Sequence, residues 1–149
     1  MLGVQQVAVG ALDRRRLHRL WVDLFGLASR GEFRNQTENV DGELATIGVG
    51  TFAVDLNLLE PLDPGRSPRP HLPALNHVGL WVDDLEKAID WLAAQGLEFT
   101  VRGVRRGAAG HDVCFIQPKH GGEGVLIELV QAPPALIEEY ERLTASSAP

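Results

Sequence analysis

The chain repeats itself at a spacing of 71 residues. Val4-Gln5-Gln6-Val7-Ala8-Val9 is echoed by Leu75-Asn76-His77-Val78-Gly79-Leu80, and Asp13 by Asp84. Val54-Asp55-Leu56-Asn57-Leu58 is echoed by Val125-Leu126-Ile127-Glu128-Leu129, again at 71. Between these anchors Phe25-Gly26-Leu27 matches Gln95-Gly96-Leu97 at 70. The period is longer than those of solenoid arrays and there are two copies, so it predicts a duplicated β-α-β-β-β unit. At 149 residues the pair fits the size of one ordinary domain.

Each copy supports that reading. In the first, an alternating strand is expected over 4–10. Asp13 is placed to N-cap a helix with Leu17, Leu20, Trp21 and Leu24 at helical spacing, and Gly26 to stop it. Strands then follow near 27–34, 43–49 and 52–59. In the second copy Asp84 caps a helix with Leu85, Ala88, Ile89 and Leu92 on one face. Strands near 97–103, 111–117 and 124–130 complete it. The organisation is one domain of module 1 (1–60), a linker (61–73), module 2 (74–131) and a C-terminal helix (133–144). Five prolines between Glu60 and Pro73 predict an extended linker. Pro133 and Pro134 open the last helix, with Leu136, Tyr140 and Leu143 available for docking, and 145–149 are expected to fray.

Composition narrows the function. Apolar residues at 44% and charged residues at 23% describe a globular chain, not a disordered one. No apolar run approaches the ~20 residues that span a bilayer. The opening segment lacks a basic stretch before its short apolar one, so no signal peptide is expected. A net charge of −6 argues against generic nucleic-acid binding. The lone Cys114 excludes an internal disulfide framework and fits a reducing compartment, so a cytoplasmic location is expected.

Strand alternation sorts polar from apolar positions. Val7 and Val9 oppose Gln6, and Val78, Leu80 and Val82 oppose His77. Leu56 and Leu58 oppose Asn57, and Ile127 and Leu129 oppose Glu128. The apolar sets should lie against the helices, leaving Gln6, Asn57, His77 and Glu128 on the concave side. Each module separates its two polar positions by 51 residues, so pseudo-symmetry predicts that the four converge. An imidazole, a carboxylate and two amide oxygens can bind a divalent metal such as zinc, cobalt, nickel or manganese. A histidine hydrogen-bonded in the core is the plainer alternative. Glu128, inside Val-Leu-Ile-Glu-Leu-Val, needs a cation, a donor or a proton if it is buried.

These residues resemble the vicinal oxygen chelate superfamily, and most closely its methylmalonyl-CoA epimerase family. Gly107-Ala-Ala-Gly110, Val113-Cys-Phe-Ile-Gln-Pro-Lys119 and Gly124-Val-Leu-Ile-Glu-Leu-Val-Gln131 resemble the epimerase signature. Asn76-His77-Val78 with Val82-Asp-Asp-Leu85 resembles the start of its second module, and Leu58-Leu-Glu-Pro-Leu62 the end of its first. The resemblance implies an α+β fold of duplicated βαβββ modules, a half-barrel sheet with helices outside, and a homodimer. It implies metal ligands at Gln6, Asn57, His77 and Glu128. His77 and Glu128 match the epimerase pattern, whereas that pattern has His at the place of Gln6 and Gln at the place of Asn57. Gln117 also departs, where the signature has His. Gln in the first strand is similar to some glyoxalase I enzymes.

Both families remove a proton next to a carbonyl. The resemblance implies that a metal polarises the oxygen and stabilises the enolate, while a carboxylate moves the proton. It assigns catalytic roles to Glu43, before Leu44-Ala-Thr-Ile47, and to Glu128, doubling as ligand. The expected activity is therefore α-proton exchange on a small acyl-CoA by a metal-dependent epimerase or isomerase. A glyoxalase-type lyase acting on a glutathione adduct is the alternative, and a metal-free protein that binds a small molecule is the third reading.

Other residues carry weaker signals. Arg14, Arg15 and Arg16 stand at a helix start, where the dipole disfavours cations, and are expected on a solvated face. Arg102, Arg105 and Arg106 precede the glycine-rich loop and could reach a phosphate, though a plain turn explains the glycines. Lys119 is expected at the surface and Cys114 buried. Trp21, Trp81 and Trp91 are expected in the core or an interface, with Trp81 on the His77 side of its strand.

Overall fold

The computed structural model describes residues 1–146. It divides into two compact units, one of residues 6–49 and 53–77, the other of residues 1–5, 50–52 and 78 onward. Each contributes one copy of the expected βαβββ pattern. No helix among the described residues is long and apolar enough to cross a membrane.

In the first unit the strands are β1 (Gly3–Gly10, from Gln6), β2 (Ala28–Asn35), β3 (Val40–Ile47) and β4 (Val54–Pro61), ordered β2-β3-β4-β1. Strand β1 runs parallel to β4 with Val7 beside Leu56 and Val9 beside Leu58. These four pack with Ala45, Leu17, Trp21 and Val22, so the apolar face expected from alternation is the one under the helix. The helix itself departs from expectation. α1 (Arg14–His18) lasts five residues, and Arg19–Leu24 continues as a π-helix. The wider π turn carries Leu20 and Leu24 away from the sheet, and they are 39% and 66% exposed. Asp13 caps as expected, accepting from the Arg15 N–H, and Gly26 ends the segment at φ +74°.

The proline-rich segment after β4 is not extended. It folds into turns, with Arg66 N–H donating to Asp63 O and Leu72 N–H to Arg69 O. Buried Asn39 pins it, donating from Nδ2 to the carbonyls of Asp63, Arg66 and Pro68 and accepting from Asp63 N–H. Gly10 lets this segment approach, because a Cβ there would lie 2.0 Å from Pro70 O and 2.7 Å from His71 Cα. Both obstacles are backbone atoms, so Gly10→Ala is expected to cost about 2 kcal/mol, read as a lower urea midpoint.

In the second unit the order is β5-β8-β7-β6: β5 (Leu75–Val82, from Val78), β6 (Arg105–Arg106), β7 (Asp112–Ile116) and β8 (Ile127–Gln131). α2 (Leu85–Ala94) is capped by Asp84 and by Gln131 Oε1, which accepts from Leu85 N–H. Leu85, Ala88, Ile89 and Leu92 pack on Val82, Cys114, Ile116 and Leu129 as expected. The strand expected over 97–103 does not form. Phe99 makes a single bridge to Ile116, and a turn from Thr100 to Gly103 at φ +56° ends the pairing. The pairing resumes as β6, joined to β7 by the Gly107–Gly110 turn. α3 (Pro134–Ala145) docks Leu136 and Ile137 beside Trp81, Val113 and Val130. Of the expected frayed end, Ala145 is helical, Ser146 caps the helix, and 147–149 lie outside the described residues.

Candidate functional site

Gln6, Asn57 and His77 come together within the first unit. The parallel register sets Ala8 beside Asn57, so Gln6 and Asn57 share the face turned away from α1. Asn57 Nδ2 donates to Gln6 Oε1 at 2.7 Å, and Gln6 Nε2 lies 3.0 Å from His77 Nε2. On its other side His77 Nδ1 lies 2.8 Å from Asn76 Oδ1. The direction of this run follows from its end. Asn76 Oδ1 can only accept, so His77 Nδ1 carries the proton and Nε2 presents its lone pair, accepting from Gln6. Asn76 is itself held, donating from Nδ2 to Pro70 O at 3.0 Å.

These residues fit a divalent metal. A carbonyl oxygen on Nδ1 is the usual partner of a ligating imidazole, fixing its tautomer and ring orientation. The Gln6 amide lies 3.0 Å from His77 Nε2, close enough for both side chains to reach one ion. Gln6 presents nitrogen to His77; turned end for end, its amide presents Oε1, and Asn57 turns with it. No group of three or more His, Cys, Asp or Glu among the described residues is placed to hold a metal, so this donor set depends on amide oxygens. Strand alternation does not single out Asn76, because neighbouring strand residues point to opposite faces; its adjacency to His77 is the signal the sequence carries.

Glu128 lies in the second unit and is 5% exposed. It faces Phe115 on β7 and Gly79 on β5, on the side away from α2, where alternation put it.

Glu43 is not brought to the Gln6–Asn57–His77 run. It pairs with Leu58, so its side chain is on the helix-covered face. There Ser29 Oγ donates to it at 2.6 Å and His18 Nδ1 contacts both carboxylate oxygens at 2.9 Å. Burial pushes the Glu43 carboxyl up, but the hydrogen bonds from Ser29 and His18 outweigh it and hold the group below its usual range. The bond to Glu43 pushes the His18 imidazole up against the smaller effect of desolvation. The two groups act on opposite flanks of pH. His18 contributes stability that is full below its usual 6.5 and is lost as pH rises through its raised value. Glu43 contributes stability present above its usual 4.5 and lost as pH falls through its lowered value. Urea midpoints should therefore decline on the alkaline side of 6.5 in the wild type and stay flat there in His18→Gln.

The remaining candidates are distributed. Arg14 pairs with Glu32 at 2.7 Å and with Asp41 at 3.9 Å, Arg15 folds back on Asp13, and Arg16 is exposed. Arg102 and Lys119 are exposed, and Arg106 pairs with Asp112. The glycines of 107–110 form the β6–β7 turn, with Gly107 N–H donating to His111 O and Gly110 N–H to Gly107 O. Burial of Cys114 pushes its thiol up, as suits a packing residue rather than a nucleophile. Trp81 is buried edge-on to His111, Trp21 packs on Ala45, Leu56 and Leu58, and Trp91 is 65% exposed.

Comparison with known proteins adds the lineage. A methylmalonyl-CoA epimerase from Mycobacterium tuberculosis is similar at 26% identity and TM-score 0.73, over 91% of this chain and 91% of that one. A methylmalonyl-CoA epimerase in complex with methylmalonyl-CoA and NH4+ gives 20% and 0.75, over 90% and 96%. A hypothetical protein from Bacillus halodurans C-125 gives 19% and 0.73, over 87% and 94%. No curated protein matches the chain. The sequence model of one family matches residues 5–115, about three quarters of the length, and by that match the chain belongs to the glyoxalase/bleomycin resistance protein/dioxygenase superfamily.

Proposed function

We propose that the protein binds a divalent metal through His77, Gln6 and Asn57 and exchanges the proton next to the thioester carbonyl of a small acyl-CoA. The observation that carries this reading is the hydrogen-bonded run from Asn76 through His77 and Gln6 to Asn57, which fixes the imidazole with its lone pair toward the amides. The fold shared with epimerases, one of them bound to methylmalonyl-CoA, supports the substrate class. A metal held there would polarise the substrate carbonyl. His77 supplies the fixed donor, and Gln6 and Asn57 supply neutral oxygens that leave the ion its charge. The family resemblance gives Glu128, buried in the second unit, the part of the group that moves the proton. Glu43 has no part in this reading, since its carboxylate is committed to His18 and Ser29 on the other face.

The test is solvent exchange. Methylmalonyl-CoA incubated with the metal-loaded protein in D2O should gain deuterium at its α-carbon by NMR, and Glu128→Gln should slow that gain roughly 100-fold or more. No deuterium uptake with any of zinc, cobalt, nickel or manganese would sink the proposal. The amide-to-imidazole contact also favours a second reading, a metal-free protein that binds a small ligand through these same groups. Tight acyl-CoA binding without metal or turnover would select it.

A further inference from the structure

The second unit carries two buried donors that its own packing does not use. Thr100 Oγ1 and Arg105 Nη1 are both buried without a hydrogen-bond partner. They belong to one face. Phe99 bridges Ile116 and packs with it on the α2 side, so Thr100, the next residue, points the other way. Its N–H donates to Phe115 O at 2.8 Å, which sets it beside Phe115. Arg105 pairs with Val113, two residues from Phe115 on the same face, and its guanidinium carbon lies 4.7 Å from the centre of the Phe115 ring. Glu128 faces Phe115 from the opposite neighbour, β8. The ring therefore has a carboxylate on one flank and the two open donors on the other.

We propose that Arg105 and Thr100 form a subsite for the carboxylate of a small ligand. A buried guanidinium N–H without an acceptor is unfavourable, and a hydroxyl beside it adds a second unmet donor. The Phe115 face stabilises the cation but accepts no directed hydrogen bond from the guanidinium edge. A planar two-oxygen anion meets that edge and can take the Thr100 O–H as well. The placement also settles polarity, because an anion on this flank is separated by the Phe115 ring from Glu128. None of these residues belongs to the Gln6–Asn57–His77 run, so the subsite stands or falls apart from the metal reading.

Calorimetric titration of the full chain with malonate tests it. Saturable binding is expected for the wild type. Arg105→Gln should weaken it roughly tenfold or more, and Thr100→Val, which keeps the shape, roughly threefold or more. Arg105→Lys should fall between wild type and Arg105→Gln, since it keeps the charge and loses the fork. Circular dichroism melts check that each variant folds, and Thr100→Val decides the matter if Arg105→Gln does not. Absence of saturable binding by the folded wild type overturns the subsite, as does unchanged affinity in the folded variants. Inorganic phosphate binding more tightly than malonate overturns the assignment to a carboxylate.

Discussion

Replacing Asn39 with alanine should cost about 3 kcal/mol of stability, because it strips four hydrogen bonds from a fully buried side chain at once. For a domain of this length that is a fall of roughly 10 °C in Tm. Asn39 is fully buried, and its amide serves the carbonyls of Asp63, Arg66 and Pro68 and the N–H of Asp63. Alanine leaves those backbone groups without their protein partner and empties a fully buried site. Its backbone φ of +56° adds a smaller penalty, since asparagine tolerates that region better than alanine. Asn39→Gly separates the two causes: glycine accepts the backbone conformation but restores none of the bonds. Calorimetric unfolding should show both variants strongly destabilised, with glycine recovering less than half of the loss. A loss under about 1 kcal/mol in Asn39→Ala would mean that the proline-rich turns hold themselves.

The second large effect is on activity. His77→Ala should reduce α-proton exchange on methylmalonyl-CoA by roughly 10³-fold, with the melting temperature little changed because His77 is only half-buried. Asn76→Ala should act more mildly and by another route. It leaves the imidazole in place but frees its tautomer and orientation, so metal affinity should fall roughly 10- to 100-fold and added metal should rescue the rate. Equal exchange rates in wild type and His77→Ala would remove His77 from the chemistry.

Much of the fold was legible because the repeat and the alternation agree. Val7, Val9, Leu56 and Leu58 face the helix as their pattern requires, and Leu85, Ala88, Ile89 and Leu92 pack as one stripe. Asp13 and Asp84 cap where their side chains permit. The misses have physical causes. Leu17, Leu20, Trp21 and Leu24 suit an α-helix on paper, but a π turn redistributes them without leaving a mark in the apolar spacing. Strand β3 is apolar on both faces at Leu44 and Ala45, so alternation could not decide which way Glu43 points. Register with β4 decides it, and register is a long-range property. Five prolines suggested an extended linker, and the residue that bends it, Asn39, lies more than 20 residues earlier in sequence. Within the site, Gln6, Asn57 and His77 were legible as repeat-related polar positions. Asn76, Thr100 and the isolation of Glu43 required the folded chain.

His77, Gln6 and Asn57 are proposed to hold a metal. Elemental analysis of the purified, untagged protein after incubation with zinc, cobalt, nickel or manganese and desalting tests it most directly, with His77→Ala beside it. About one equivalent of a divalent ion in the wild type, lost in His77→Ala, is the expected result. An ion content no higher in the wild type than in His77→Ala would contradict it, and would leave the amide–imidazole run as a ligand-binding device without a metal.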